Sequence, residues 1–170
     1  ILSEIDRLDE IARTFSRYGS LPADLPPAEP IDVTAILRDV IHLEQIGESR
    51  VKWRLAGADR ELRAYSRNDE LRDVLLNILE NARLSGATQV DVRAERDGKQ
   101  ILIDTTDNGG GIPREVMPRI FEPHFSTRTT GSGLGLAVSR RLIESWGGRI
   151  DITSEPGAGA RVLIVLKASE

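Results

Sequence analysis

The chain contains no cysteine, which excludes disulfides, thiolate nucleophiles and thiolate-ligated metals. Histidine is nearly as scarce: His42 and His124 stand in unrelated contexts, so a histidine-based zinc centre is not expected. No apolar run is long enough for a bilayer-spanning helix. No signal-peptide pattern opens the chain, since Ile1 leads directly into a charged, heptad-like segment. The expectation is a soluble, cytoplasmic chain that does not itself insert into a membrane. Its start at Ile1 rather than methionine suggests a piece of a longer parent, whose own anchoring stays open. A net charge of -4 leaves no broad basic field, which argues against nucleic-acid binding.

What is there is globular material. The 170 residues are 39% hydrophobic and 29% charged, enough for one domain with a small appendage. The appendage is residues 1–20. Ile1, Ile5, Leu8, Ala12 and Phe15 form an a/d seam, widened by Leu2, Ile11 and Tyr18. Such a helix either packs on its own domain or belongs to a dimeric bundle, with residues 1–18 as a homodimer seam. The bundle reading is preferred, because Pro22, Pro26, Pro27 and Pro30 stop the helix and set residues 21–31 apart as a linker.

The remaining domain, residues 32–170, opens with a helix to about Gln45, capped by Asp32 or Thr34. Val51, Trp53 and Leu55 alternate as a strand, with residues 62–65 as its expected partner. Leu71, Val74, Leu75, Ile78, Leu79 and Ala82 predict a helix over about 68–84. Asp97-Gly98 joins a hairpin of residues 90–94 and 101–103. A last helix, 135–146, is closed by Gly147-Gly148, and strands at about 149–153 and 161–167 follow. Helices and antiparallel strands in blocks predict a two-layer α/β sandwich of the α+β class. Its sheet should be mixed and mostly antiparallel, with helices on one face and the other face partly open.

Four motifs concentrate in the second half. Asn77 and Asn81 lie one helical turn apart and point the same way, beside the buried stripe. A buried amide without partners costs about 1–3 kcal/mol. These two therefore either bridge the helix to a neighbouring loop or complete an octahedral Mg2+ shell of phosphate oxygens and water. Asp107 follows an expected strand, Ile101 to Thr105, and precedes Asn108-Gly109-Gly110-Gly111. It is either a solvated residue of a glycine turn or an acceptor for an exocyclic amine, with glycines admitting a flat ring close to the backbone. Gly131, Gly133 and Gly135 precede a helix, as a flexible loop or as an anion nest at a positive helix end. No Walker loop and no dinucleotide fingerprint is present. About twenty residues separate Gly111 from Gly131, a length that is usually functional or disordered, and Phe121 and Phe125 are placed to anchor them. Arg128 suits either solvent or a terminal phosphate. His124 reads as a solvated loop imidazole.

In this order the motifs resemble the N, G1, F and G2 boxes of sensor histidine kinases, over about residues 30–168. Residues 1–20 resemble the second helix of the dimerisation and phosphoacceptor hairpin. The segment Phe125-Ser126-Thr127-Arg128 is similar to the short lid of nitrogen-regulatory kinases of the NtrB/NtrY type. The resemblance implies the Bergerat ATP-binding fold, with ATP and Mg2+ as cofactors. It implies transfer of the γ-phosphate to a histidine, then to an aspartate on a response-regulator receiver domain. Asn81 would be the Mg2+ ligand, Asp107 the adenine reader and residues 112–132 the lid. Gly109, Gly111, Ile112, Phe121, Phe125, Gly131, Ser132, Gly133, Leu134, Gly135 and Leu136 would surround the nucleotide, with Asn77 and Arg128 nearest the chemistry.

The chain departs from that pattern in ways that matter. It carries no phosphoacceptor box, so the acceptor helix is expected upstream of Ile1 and autophosphorylation cannot be completed here. Leu84-Ser85 stand where a basic or aromatic residue is common, leaving phosphate charge to Mg2+, the helix end, and Arg83 or Arg128. Ala160 stands where a threonine is common. Related ATPases place a glutamate as general base four residues before the metal-binding asparagine. Asn77 stands there, and an amide cannot accept a proton. Glu80 is expected to turn about 100° away from Asn81. Slow hydrolysis follows. The alternatives are an anti-sigma-factor serine kinase of the same fold, or a degenerate nucleotide-binding interaction module.

Overall fold

The computed structural model describes residues 26–47, 50–126, 133 and 135–170. The expected N-terminal helix and most of the linker lie outside the described residues. Strand β1 (Glu29–Asp32) leads into helix α1 (Val33–Ile46). Asp32, rather than Thr34, caps that helix: its Oδ1 accepts the Ala35 N–H at 3.1 Å and the Thr34 hydroxyl at 2.6 Å. Burial pushes the Asp32 carboxyl up, but the hydrogen bonds from Thr34 and Ala35 and the charge of Arg38 outweigh it. The net result is a pKa below the ordinary value. The helix then buries Val33, Ile36, Leu37, Val40 and Ile41.

Two sequence expectations need correction here. The end of the expected linker is strand β1, which pairs antiparallel with β3 (Arg63–Ser66), Pro30 lying opposite Tyr65. Proline is tolerated because this two-stranded ribbon is all edge. Residues 62–65 therefore do not partner the Trp53 strand. That strand, β2 (Lys52–Ala56), runs parallel beside β4 (Gln89–Asp97). The crossover that a parallel neighbour requires is supplied by helix α2 (Asn68–Leu84).

The main sheet has the order β2-β4-β5-β7-β6, with β5 at Gln100–Asp107, β6 at Arg149–Ser154 and β7 at Ala160–Lys167. All its pairings but β2–β4 are antiparallel. Alternate residues of the central strands, among them Ile101, Ile103, Ile164 and Leu166, pack with Leu75 and Leu79 of α2 and Leu142 and Ile143 of helix α3 (Gly135–Ser145). The intervening residues carry ion pairs instead: Arg54–Asp91 at 3.6 Å, Arg93–Glu95 at 2.9 Å, and Arg161 with Asp104. The sandwich therefore has helices on one face, as the sequence blocks predict, and carries these ion pairs on the other.

A polar cluster joins the far ends of α2 and α3. Glu70 Oε2 accepts from Arg67 Nε at 2.5 Å and from the buried Trp146 indole at 3.1 Å. Arg67 also donates to Ser145 Oγ at 3.2 Å and to the Pro26 carbonyl at 2.8 Å. One guanidinium thus fixes the incoming chain to both helices. None of the described helices is long and apolar enough to cross a membrane.

Candidate functional site

Between α2, the start of α3 and the ends of β5, β6 and β7 lies a cavity of about 730 Å3. Its long wall is one face of α2. Asn77, Ile78, Asn81, Ala82 and Ser85 line it, residues spaced three or four apart. From Asn77 to Ser85 the helix rises about 12 Å, so the two residues mark opposite ends of the cavity.

At the Ser85 end stands Asp107, 8% exposed and facing the cavity. Its Oδ1 accepts the Gly109 N–H at 2.8 Å and lies 3.4 Å from Ser85 Oγ, whose proton goes to the Ala82 carbonyl at 2.7 Å. Among the described residues Oδ2 receives no hydrogen bond, so the carboxylate keeps an acceptor for a ligand amine. The turn behind it is clamped by Asn108, whose Oδ1 accepts from Thr88 N and Gln89 N, each at 2.9 Å. The β6–β7 turn closes the corner. Ser154 Oγ accepts the Ile112 N–H at 2.8 Å and donates to the Gly159 carbonyl at 2.7 Å. Gly159 has φ +86, and a Cβ there would fall 1.9 Å from the Asp107 carbonyl oxygen. Only glycine lets the two turns meet. Ile112, Ile152 and Val162 supply apolar walls, and Ala160 leaves room where a larger residue would intrude.

At the Asn77 end are Gly133, Gly135 and Leu136, where α3 begins. Backbone N–H groups at a helix start attract anions. The only charged side chains lining the cavity among the described residues are Glu80 and Asp107, both acidic. A polyphosphate there needs positive charge beyond the helix end. Glu80 is exposed and pairs with Arg83 at 3.4 Å. It nevertheless reaches the cavity rim, so its expected rotation away from Asn81 does not remove it from the lining.

Segment 112–126 flanks the cavity and lends it Pro113, Val116 and Ile120, with a single 3-10 turn at Met117–Arg119. Phe125 lines the cavity and lies under Arg119, 4.3 Å from guanidinium to ring centre. Phe121 does not line it. It packs against the hydrophobic core beneath Arg140, at 5.0 Å, and so anchors this segment to the domain. His124 is exposed and outside the lining, in a left-handed conformation with φ 62.

Of the residues picked from sequence, Asn77, Asn81, Asp107, Gly111, Ile112, Phe125, Gly133, Gly135 and Leu136 line the cavity. Gly109 stands behind Asp107 as a donor, and Phe121 serves as an anchor. Arg128, Gly131, Ser132 and Leu134 lie outside the described residues. Missed from sequence were Ile78 and Ala82 on the α2 wall, Thr105 two residues before Asp107, and Ile152 and Val162. The helical and strand periods carried the signal for the first three.

Residues 66–170 match the family model described as histidine kinase-, DNA gyrase B-, and HSP90-like ATPase, and the chain belongs to that family. Among curated relatives, nitrogen regulation protein NtrY of Azorhizobium caulinodans is 30% identical over 99% of the chain and 23% of that protein. The alginate biosynthesis sensor protein KinB of Pseudomonas aeruginosa is 38% identical over 89% of the chain and 26% of its own length. The chain thus spans about a quarter of the length of the curated relatives it matches. Full-length ShkA, solved in complex with AMPPNP, superposes with a TM-score of 0.76 at 26% identity. That match covers 98% of this chain and 36% of ShkA.

Proposed function

We propose that the chain is the phosphodonor part of a two-component sensor histidine kinase. It binds Mg2+ and ATP and gives the γ-phosphate to a histidine outside the chain, for relay to a response-regulator receiver domain. The observation that carries this reading is the polarity of the cavity. A buried carboxylate with a spare acceptor stands at one end, and a carboxamide pair beside a helix start stands at the other. Asp107 Oδ2 accepts the adenine amine, while Ile112, Ile152 and Val162 shelter the ring. The phosphates lie toward Asn77, Asn81 and the start of α3.

Mg2+ fits the donor set. Asn81 offers a neutral oxygen, and the acidic lining leaves a triphosphate short of counter-charge. When bound, Mg2+ neutralises charge on the phosphate oxygens. Asn81 holds it, and the α3 N–H groups orient the phosphates. No proton acceptor for water stands in the Asn77 position, since a carboxamide does not take up a proton at neutral pH. Arg128 is the loop cation proposed for the terminal phosphate, and the hairpin helix of residues 1–18 is proposed to pair with the acceptor helix or with a second copy. Of the curated relatives above KinB is named a sensor protein and neither is named an anti-sigma-factor kinase, which favours the first reading over that alternative.

Titration with ATP, with and without Mg2+, tests the pocket. Asn81→Ala should remove the Mg2+-dependent part of the affinity, and Asp107→Ala should lower affinity for every adenine nucleotide. Binding indifferent to both substitutions would mean a degenerate pocket.

A further inference from the structure

Ser139 is a polar residue buried to 2% exposure on the inner face of α3, and it does not line the cavity. Its hydroxyl accepts a hydrogen bond from Asn77 Nδ2 at 3.1 Å. The other half of the same amide rests on the first residue of α3: a Cβ at Gly135 would fall 2.2 Å from Asn77 Oδ1. Asn77 therefore holds the first turn of α3 at two points, its start and one turn further in. One turn along α2 from Asn77 is Asn81.

We propose that Ser139 is a positioning residue. Acting through Asn77, it fixes the start of α3 relative to Asn81, and so sets affinity for a metal-bound polyphosphate without affecting recognition of the nucleoside. The inference rests on the Mg2+ and ATP reading above. The physical argument is one of register. The helix start and the Asn81 amide must meet the same phosphate chain from two different helices. The dipolar effect of a helix end fades within its first turn, so a small displacement of α3 costs phosphate affinity. Asp107 is placed by the 107–110 turn and the β6–β7 turn, none of which involves Ser139. The two ends of the ligand should therefore respond separately.

The test is to titrate wild type and Ser139→Ala with Mg2+ plus ATP and, separately, with adenosine. Loss of one hydrogen bond between the Asn77 amide and a buried hydroxyl predicts about tenfold weaker binding of the metal-bound triphosphate. Adenosine affinity should be unchanged, which also shows that the pocket is folded. Ser139→Thr is the second variant, since it keeps the hydroxyl that accepts from Asn77 Nδ2. It should retain most of the affinity for the metal-bound triphosphate, and a loss as large as that of Ser139→Ala would overturn the proposal. Equal loss for both ligands, or no loss for either, overturns the proposal while wild-type binding of Mg2+ and ATP still stands. If wild type itself shows no Mg2+-dependent ATP binding, the reading beneath it has failed as well, and that is visible without any variant.

Discussion

Asp107 and Asn77 show how far neighbours decide the use of a side chain. Asp107 has one oxygen held by the Gly109 N–H, leaving the other for a ligand. The close meeting of its backbone with Gly159 is the weak point of that corner. Gly159→Ala should cost about 1–3 kcal/mol in chemical denaturation through strain and displacement of the turn, and should weaken adenine binding with it. Asn77 donates through Nδ2 to Ser139, packs its Oδ1 close to Gly135, and as an amide has no proton-accepting capacity. ATP hydrolysis by the chain alone should therefore be slow, and phosphate release at a robust catalytic rate would contradict this. Both residues were legible in the sequence, as polar side chains in a glycine turn and beside an apolar stripe. Ser139 and Ile152 were not, because nothing local distinguishes them from ordinary helix and strand residues. Their roles come from what the fold brings next to them.

At the scale of elements, the long helices and the β4–β5 hairpin follow from periodicity and turn chemistry, and the structure places them where the sequence predicts. The errors fell on short strands. β1 is four residues long and contains a proline, so it reads as linker. β3 is adjacent to β2 in sequence, yet β1 and the Ala64–Ala168 bridge claim its edges. Local patterning cannot reveal a pairing between distant segments. Helix α1 offers a direct test of local chemistry. Asp32→Ala should cost about 1 kcal/mol by loss of the cap. In the folded state its carboxyl is held below the ordinary aspartate range, so the contribution is present above that ordinary value. It is lost as the pH falls through the folded pKa. The stability gap between wild type and Asp32→Ala should therefore close in strong acid, as measured by denaturation against pH.

For the whole molecule, one α/β sandwich presents the ends proposed for adenine and for phosphate along a single helix wall, beside a segment anchored by Phe121. Ligand that binds only the folded state stabilises it by mass action, about 2.7 kcal/mol at a hundredfold excess over Kd. Mg2+ plus ATP should raise the melting temperature accordingly, and removal of Mg2+ by a chelator should reverse most of the gain. The central claim, that the pocket donates phosphate to a protein, is tested most directly by mixing three components. These are the chain, γ-labelled ATP with Mg2+, and a separate protein carrying the acceptor helix. The account predicts label on that partner's histidine, acid-labile and stable to base. Label released only as inorganic phosphate, or none transferred while ATP is bound, would contradict it.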